Sequence, residues 1–172
     1  MSSLSWPAPA TRRKIFVSYQ HHGDRPYYVE FARFFSDAYE AVEDHSVERE
    51  IDSDNAEYIS RCIRESYITG TSCTIVLCGP TTYQRKFVDW EIKATLDKQH
   101  GLIGVNLPTN LVNANGRVAV PGRLYDNIES GYAVWTSWNA LTVDALKQNV
   151  EKATARSKTL IRNDRTLKSQ NG

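Results

Sequence analysis

The sequence predicts a doubly wound α/β domain, a parallel sheet covered by helices on both faces. Three observations carry that expectation. The runs SCTIVLC (Ser72 to Cys78) and LIGVNL (Leu102 to Leu107) are apolar without alternation, as strands buried on both faces must be. Between such runs lie segments whose apolar residues recur at helical spacing. The order strand, helix, strand then favours parallel pairing through crossover connections.

KIFVSY (Lys14 to Tyr19) is a short β-branched and aromatic run and reads as the first strand. It breaks at QHHGD, where Asp24 is placed to cap a helix and Pro26 fits its first turn. Tyr28, Phe31, Phe35, Ala38, Tyr39 and Val42 then form one apolar stripe, which extends that helix to Val42. SVEREI gives a weak strand around Val47, and Ile51 to Asn55 reads as a polar loop. Asp54 followed by Glu57 resembles a capping box, with Ile59, Cys62, Ile63 and Tyr67 as the helix face up to Gly70.

After SCTIVLC and a Gly79-Pro80 break comes a helix with Val88, Ile92 and Leu96 inward, ended by Gly101. LIGVNL follows and stops at Pro108. LVNANGRVAV has the signature of a hairpin turning at Asn115-Gly116. YAVWTSW reads either as a last strand or as a cover for the sheet edge. Thr142 to about Ala155 is a C-terminal helix with Val143, Leu146, Val150 and Ala153 on one side. The expected organisation is a leader over 1–13, one domain over 14–155, and a polar basic tail over 156–172 that frays.

Composition narrows the function. At 172 residues, with 41% hydrophobic and 24% charged residues, the chain suits a single globular domain. A formal net charge of +1 gives no general reason to expect a nucleic-acid partner. No apolar run approaches spanning length, so no membrane partner is expected. The opening MSSLSWPAPATRRK lacks the apolar centre of a secretory signal. Three cysteines form no disulfide framework and suit a reducing, cytoplasmic setting, with Cys73 and Cys78 as core thiols.

The chemically informative stretch is RKFVDWEI, Arg85 to Ile92. It puts Glu91 on the first turns of a helix that leaves a buried strand, where open α/β sheets bind ligands. Phe87, four residues earlier, shares that helix face. A ring beside a carboxylate is a seat for a flat cation such as nicotinamide. By itself a helix glutamate is more often a solvated surface residue. His21-His22 has no companion ligands at zinc-like spacing, so no metal is expected. Asp89 reads as a solvated neighbour and Trp90 as a structural or oligomer-contact residue on a different helix face. Trp135 and Trp138 read as packing for the sheet edge or the last helix.

Taken together, IFVSY, the polar loop, TIVLCGP and F-V-x-x-E opening a helix resemble a TIR domain. More closely they are similar to the TIR-like sensor subunit of the bacterial Thoeris anti-phage system. The resemblance covers Lys14 to Pro108, and more loosely runs to Trp138. It implies a flavodoxin-like sheet of order 2-1-3-4-5 carrying an NAD-cleaving site, with Glu91 as the essential glutamate. The family's tryptophan four positions before that glutamate is Phe87 here. Its dinucleotide-holding loop after the first strand matches Tyr19, Gln20 and His21. In such a sheet Tyr19 and Glu91 are expected to meet in one crevice at the switch point between strands 1 and 3.

NAD is then the substrate, and no other cofactor is implied. The product is an ADP-ribose-type nucleotide, cyclic in the closest resemblance, which reaches an effector by diffusion; homo-oligomer contacts complete the site. Two other readings stand beside this one: a non-catalytic TIR assembly module, and a nucleoside ribosyltransferase-like enzyme. A phosphoacceptor receiver is disfavoured, because SYQHHGD and LCGP stand where its acidic residues belong.

Overall fold

The computed structural model describes residues 12–44 and 55–172. Five strands form one all-parallel sheet: β1 (Arg13–Ser18), β2 (Tyr39–Val42), β3 (Cys73–Cys78), β4 (Gly101–Asn106) and β5 (Val134–Ser137). Their order is β2-β1-β3-β4-β5, the flavodoxin-like arrangement. β3, the expected central strand, is buried along its whole length. Helices α1 (Arg25–Phe34) and α5 (Val143–Ala155) cover one face. The other carries α2 (Ala56–Ile63), α3 (Lys86–Asp97) and α4 (Gly122–Glu129).

Side-chain alternation along the strands divides the core. Ile15, Val17, Cys73, Ile75, Leu77, Ile103 and Val105 face α1 and α5. Phe16 packs with Ile59, Ile63, Trp90 and Ala94 from α2 and α3, while Val76, Cys78 and Leu102 meet Val88, Ile92 and Leu124. Both strand cysteines are fully buried, and burial pushes the Cys73 thiol up to about 12. They are inert packing at neutral pH.

Several elements differ from expectation. α1 ends at Phe34, and Tyr39–Val42 is the edge strand β2, paired in parallel from Arg13↔Tyr39 to Phe16↔Val42. Amides of Ala38 and Tyr39 both close on the Phe35 carbonyl, which turns the chain out of the helix. Residues recurring every three or four positions over so short a span fit a helix and a turn-plus-strand equally well. The weak strand around Val47 and the Asp54 cap lie outside the described residues. Asn55 caps α2, its side chain accepting from the Tyr58 amide at 3.1 Å. Asp24 holds the N-cap position of α1, but its side chain does not cap it. α3 stops before Gly101, where Gln99 takes a left-handed backbone at φ 57°.

The hairpin after β4 reduces to a single antiparallel bridge, Val112↔Val118, around Gly116 at φ 76°. Beyond it α4 forms, a helix not anticipated because GRLYDNIE is largely polar. Its Arg123 and Asn127 are nevertheless fully buried. β5 takes the strand reading of YAVWTSW, with Trp135 laid over Gly104: a Cβ there would stand 2.6 Å from the ring.

The basic tail does not fray. Arg123 and Asn127 reach out to it, donating to the carbonyls of Arg165 and Arg162 at 2.7 Å each. The Trp90 indole donates to the Lys168 carbonyl at 2.8 Å. Asp89 is not solvated either: it is buried, bonded to Arg123 Nε at 2.9 Å and to the Lys168 amide at 2.9 Å. The tail thus forms an outer layer over α3 and α4, anchored by a buried ion pair.

Candidate active site

The switch point lies between β1 and β3, and what stands there follows from the two-residue period of β1. Phe16 and Ser18 face α2 and α3; Val17 and Tyr19 face α1 and α5. Glu91, in the second turn of α3, is only 4% exposed, and its Oε2 accepts a hydrogen bond from Ser18 Oγ at 2.5 Å. The turn that bears it is tied to the sheet. Thr95 Oγ1 donates to the Glu91 carbonyl at 2.9 Å and meets Thr74 Oγ1 of β3 at 2.7 Å. The carboxylate is therefore fixed at both its backbone and its head. Phe87, one turn earlier, packs edge-on against Trp90 at 5.2 Å, with Lys86 Nζ 5.3 Å from its centroid. Trp90 packs with Phe87, Phe16 and Ala94, the structural role expected of it.

Tyr19 does not share a crevice with Glu91, which corrects the expectation. Its ring lies on the opposite side of the sheet, in parallel contact with His21 at 4.4 Å and Tyr28 at 4.8 Å. Its hydroxyl donates to the buried Glu43 just beyond β2 and accepts from Arg25 at 3.2 Å. Arg25 in turn pairs with Glu43 at 3.5 Å. Burial first, then the Glu43 contact, push the Tyr19 phenol far above its ordinary value. Gln20 is buried and turns its side-chain oxygen onto the Gly23 amide, shaping the exit loop. His22 is exposed and His21 half-buried.

The two loops at the switch point are latched together. Thr82 accepts from the Gly79 amide at 2.8 Å and donates toward the buried Asp24 at 3.3 Å. Gly79 lies so near that carboxylate that a Cβ would sit 2.3 Å from its oxygen. Burial raises the Asp24 carboxyl above its usual range, against an opposing hydrogen bond from Thr82. Among the described residues, no group of three or more His, Cys, Asp or Glu is arranged to hold a metal ion.

Compared with family profiles, residues 16–111 match that of the Thoeris protein ThsB, TIR-like domain, over more than half of the chain. The chain belongs to this family. The ThsB-type match opens at Phe16 in β1 and closes at Leu111, shortly after β4. It takes in Ser18, Tyr19, Gln20, His21, Phe87 and Glu91, and leaves α4, β5 and α5 outside. Comparison with curated proteins finds no match. The chain is thus a Thoeris-type TIR module on the flavodoxin-like fold. Among the described residues, no helix is long and apolar enough to cross a membrane.

Sequence reasoning did not single out Ser18, Glu43 or Arg25. The signal for Ser18 was present: with Phe16 inward on the α3 side, alternation selects Ser18 and not Tyr19 as the partner of Glu91. Nothing local marks Glu43, whose pairing crosses between adjacent strand ends.

Proposed function

We propose that this TIR-like domain cleaves the bond between nicotinamide and ribose in NAD, with Glu91 as the catalytic carboxylate. One observation carries the reading. A nearly buried carboxylate stands at the topological switch point, where such sheets bind nucleotides, its head oriented by Ser18.

The chemistry suits a single acid. Nicotinamide in NAD is cationic, and it departs neutral when the ribose C1′–N bond breaks with both electrons going to nitrogen. No proton is needed by the leaving group, unlike glycoside hydrolysis with its two carboxyls. What remains is an oxocarbenium-like ribosyl centre, which an ionised carboxylate stabilises electrostatically. Ser18 holds one oxygen of that carboxylate in place. Phe87 offers a π face for the cationic ring on the same helix face. Water attack on C1′ with loss of a proton gives ADP-ribose; attack by a group of the same nucleotide gives a cyclic isomer.

As part of this reading the cyclic product diffuses to an effector, the domain acts in the cytoplasm, and homo-oligomer contacts complete the site. Tyr19, Gln20 and His21 frame the exit loop of β1, and His21 is the least enclosed of the three.

The burial of Glu91 favours a second reading as well. A carboxylate satisfied by Ser18 also serves as a pure anchor for α3, as in a non-catalytic assembly module. The decisive experiment follows nicotinamide release from NAD by the wild-type protein and Glu91→Gln, under dilute and assembly-promoting conditions. Release that depends on Glu91 supports catalysis; release undiminished in the variant removes Glu91 from the reaction. No release from either protein under every condition selects the assembly reading. Competition by free nucleosides separates an NAD enzyme from a nucleoside ribosyltransferase.

A further inference from the structure

A hollow of about 360 Å³ opens between the start of α3 and the start of α4, roofed by the tail. Its charged lining is Arg85, Arg165, Lys168 and Asp89. The carboxylate does not balance the three cations. Asp89 is committed to the fully buried Arg123 and to the Lys168 amide. Arg165 forms a two-bond pair with Asp126, 2.9 Å at each contact. Its guanidinium also lies against Gly122, the first residue of α4, so close that a Cβ there would meet it at 2.7 Å. Lys168 Nζ donates to the Gly172 carbonyl at 3.0 Å. Arg85 has no carboxylate partner among the described residues, and its buried Nε–H has no acceptor.

Two physical features add to this imbalance. Pro121, the N-cap of α4, has no side chain able to cap the first-turn amides, and that turn holds no acidic residue. A helix start carries partial positive charge, so the cation of Arg165 is held where the helix itself opposes it. An anion in the hollow would offset the excess positive charge and the uncapped helix start, through charge-assisted bonds from Arg85 and Lys168 and through the first-turn amides.

We propose that this hollow binds a phosphate group, held by Arg85, Lys168 and the amino-terminal turn of α4. Arg supplies the forked donor geometry that phosphate oxygens match, and the lysine supplies a point charge. The group can arrive as free phosphate or as the phosphate of a nucleotide. This site is separate from Glu91 and does not rest on the NAD reaction.

Amide NMR of the full chain titrated with inorganic phosphate, and separately with ADP, tests it at matched ionic strength against chloride. Shifts confined to Gly122, Arg123, Leu124 and Lys168 are expected from at least one probe. Tighter binding of ADP identifies a nucleotide site; equal binding identifies a free-phosphate site. Arg85→Gln and Lys168→Gln should each weaken binding about tenfold or more. Shifts no different from those of chloride, or dispersed over the surface, overturn the proposal. So does binding that survives both basic-residue substitutions.

Discussion

Ser18 Oγ donates to Glu91 Oε2 across 2.5 Å, joining the last residue of β1 to the second turn of α3. A hydroxyl that fixes one oxygen of a buried carboxylate sets where its negative charge lies. In an electrostatic mechanism, that placement is the catalytic contribution.

Glu91→Gln should therefore lower NAD cleavage by on the order of a hundredfold or more, while circular dichroism stays native. Ser18→Ala should lower kcat by about tenfold, the worth of one hydrogen bond to a charged group. The double variant should be no slower than Glu91→Gln alone, because the serine acts only through the carboxylate. Independent, multiplicative losses in steady-state kinetics would show that Ser18 has a separate role.

Gly79→Ala should destabilise the fold by about 1–3 kcal/mol in urea unfolding, since its methyl group would overlap the Asp24 carboxylate. Combining it with Asp24→Ala should recover much of that loss, because the overlapping atoms are gone. An equal loss in the Asp24→Ala background would place the strain elsewhere.

Asp24 also predicts a pH signature. Its carboxyl is raised by burial, so the folded state binds the proton more tightly than the unfolded chain does. Its contribution is then most favourable below the unfolded value of 3.8, and is lost as pH rises through the higher folded value. Asp24→Asn should consequently gain stability relative to wild type on moving from pH 4 to pH 7. Unfolding curves at the two pH values measure the difference, and a gain that is the same at both would remove Asp24 as its source.

The Arg123–Asp89 pair is buried on both sides. Arg123→Met should cost about 3–5 kcal/mol by leaving the carboxylate without its counter-charge. It should also release the tail, visible as a change in Trp90 fluorescence, because Arg123 holds the Arg165 carbonyl and the indole holds that of Lys168. Loss of stability without any change around Trp90 would uncouple the pair from the tail.

Much of this architecture was legible in the residues. Ser72 to Cys78 announces a central strand because both its faces must be apolar, and the position of Glu91 follows from the helix that comes next. Tyr39 to Val42 was not legible, since four residues of an edge strand continue the helical spacing that precedes them. α4 escaped because its buried face carries Arg123 and Asn127, side chains that become interior only once the tail supplies their partners. The tail was misread for the same reason. Lys168 and Arg165 dock through backbone carbonyls, which no side-chain pattern records. At the site, Glu91 came from position and family likeness. Its true neighbour required counting parity along β1 down to Ser18.

That parity makes β1 a fixed index. Its pairing with β2 from Arg13↔Tyr39 and with β3 from Phe16↔Thr74 decides which side chain is presented to α3. Deleting or inserting one residue between Lys14 and Ser18 would turn a bulky neighbour toward the acid and drop the serine among the tyrosines. Helix α3 could keep its own sequence intact and still lose the partner that aims its carboxylate.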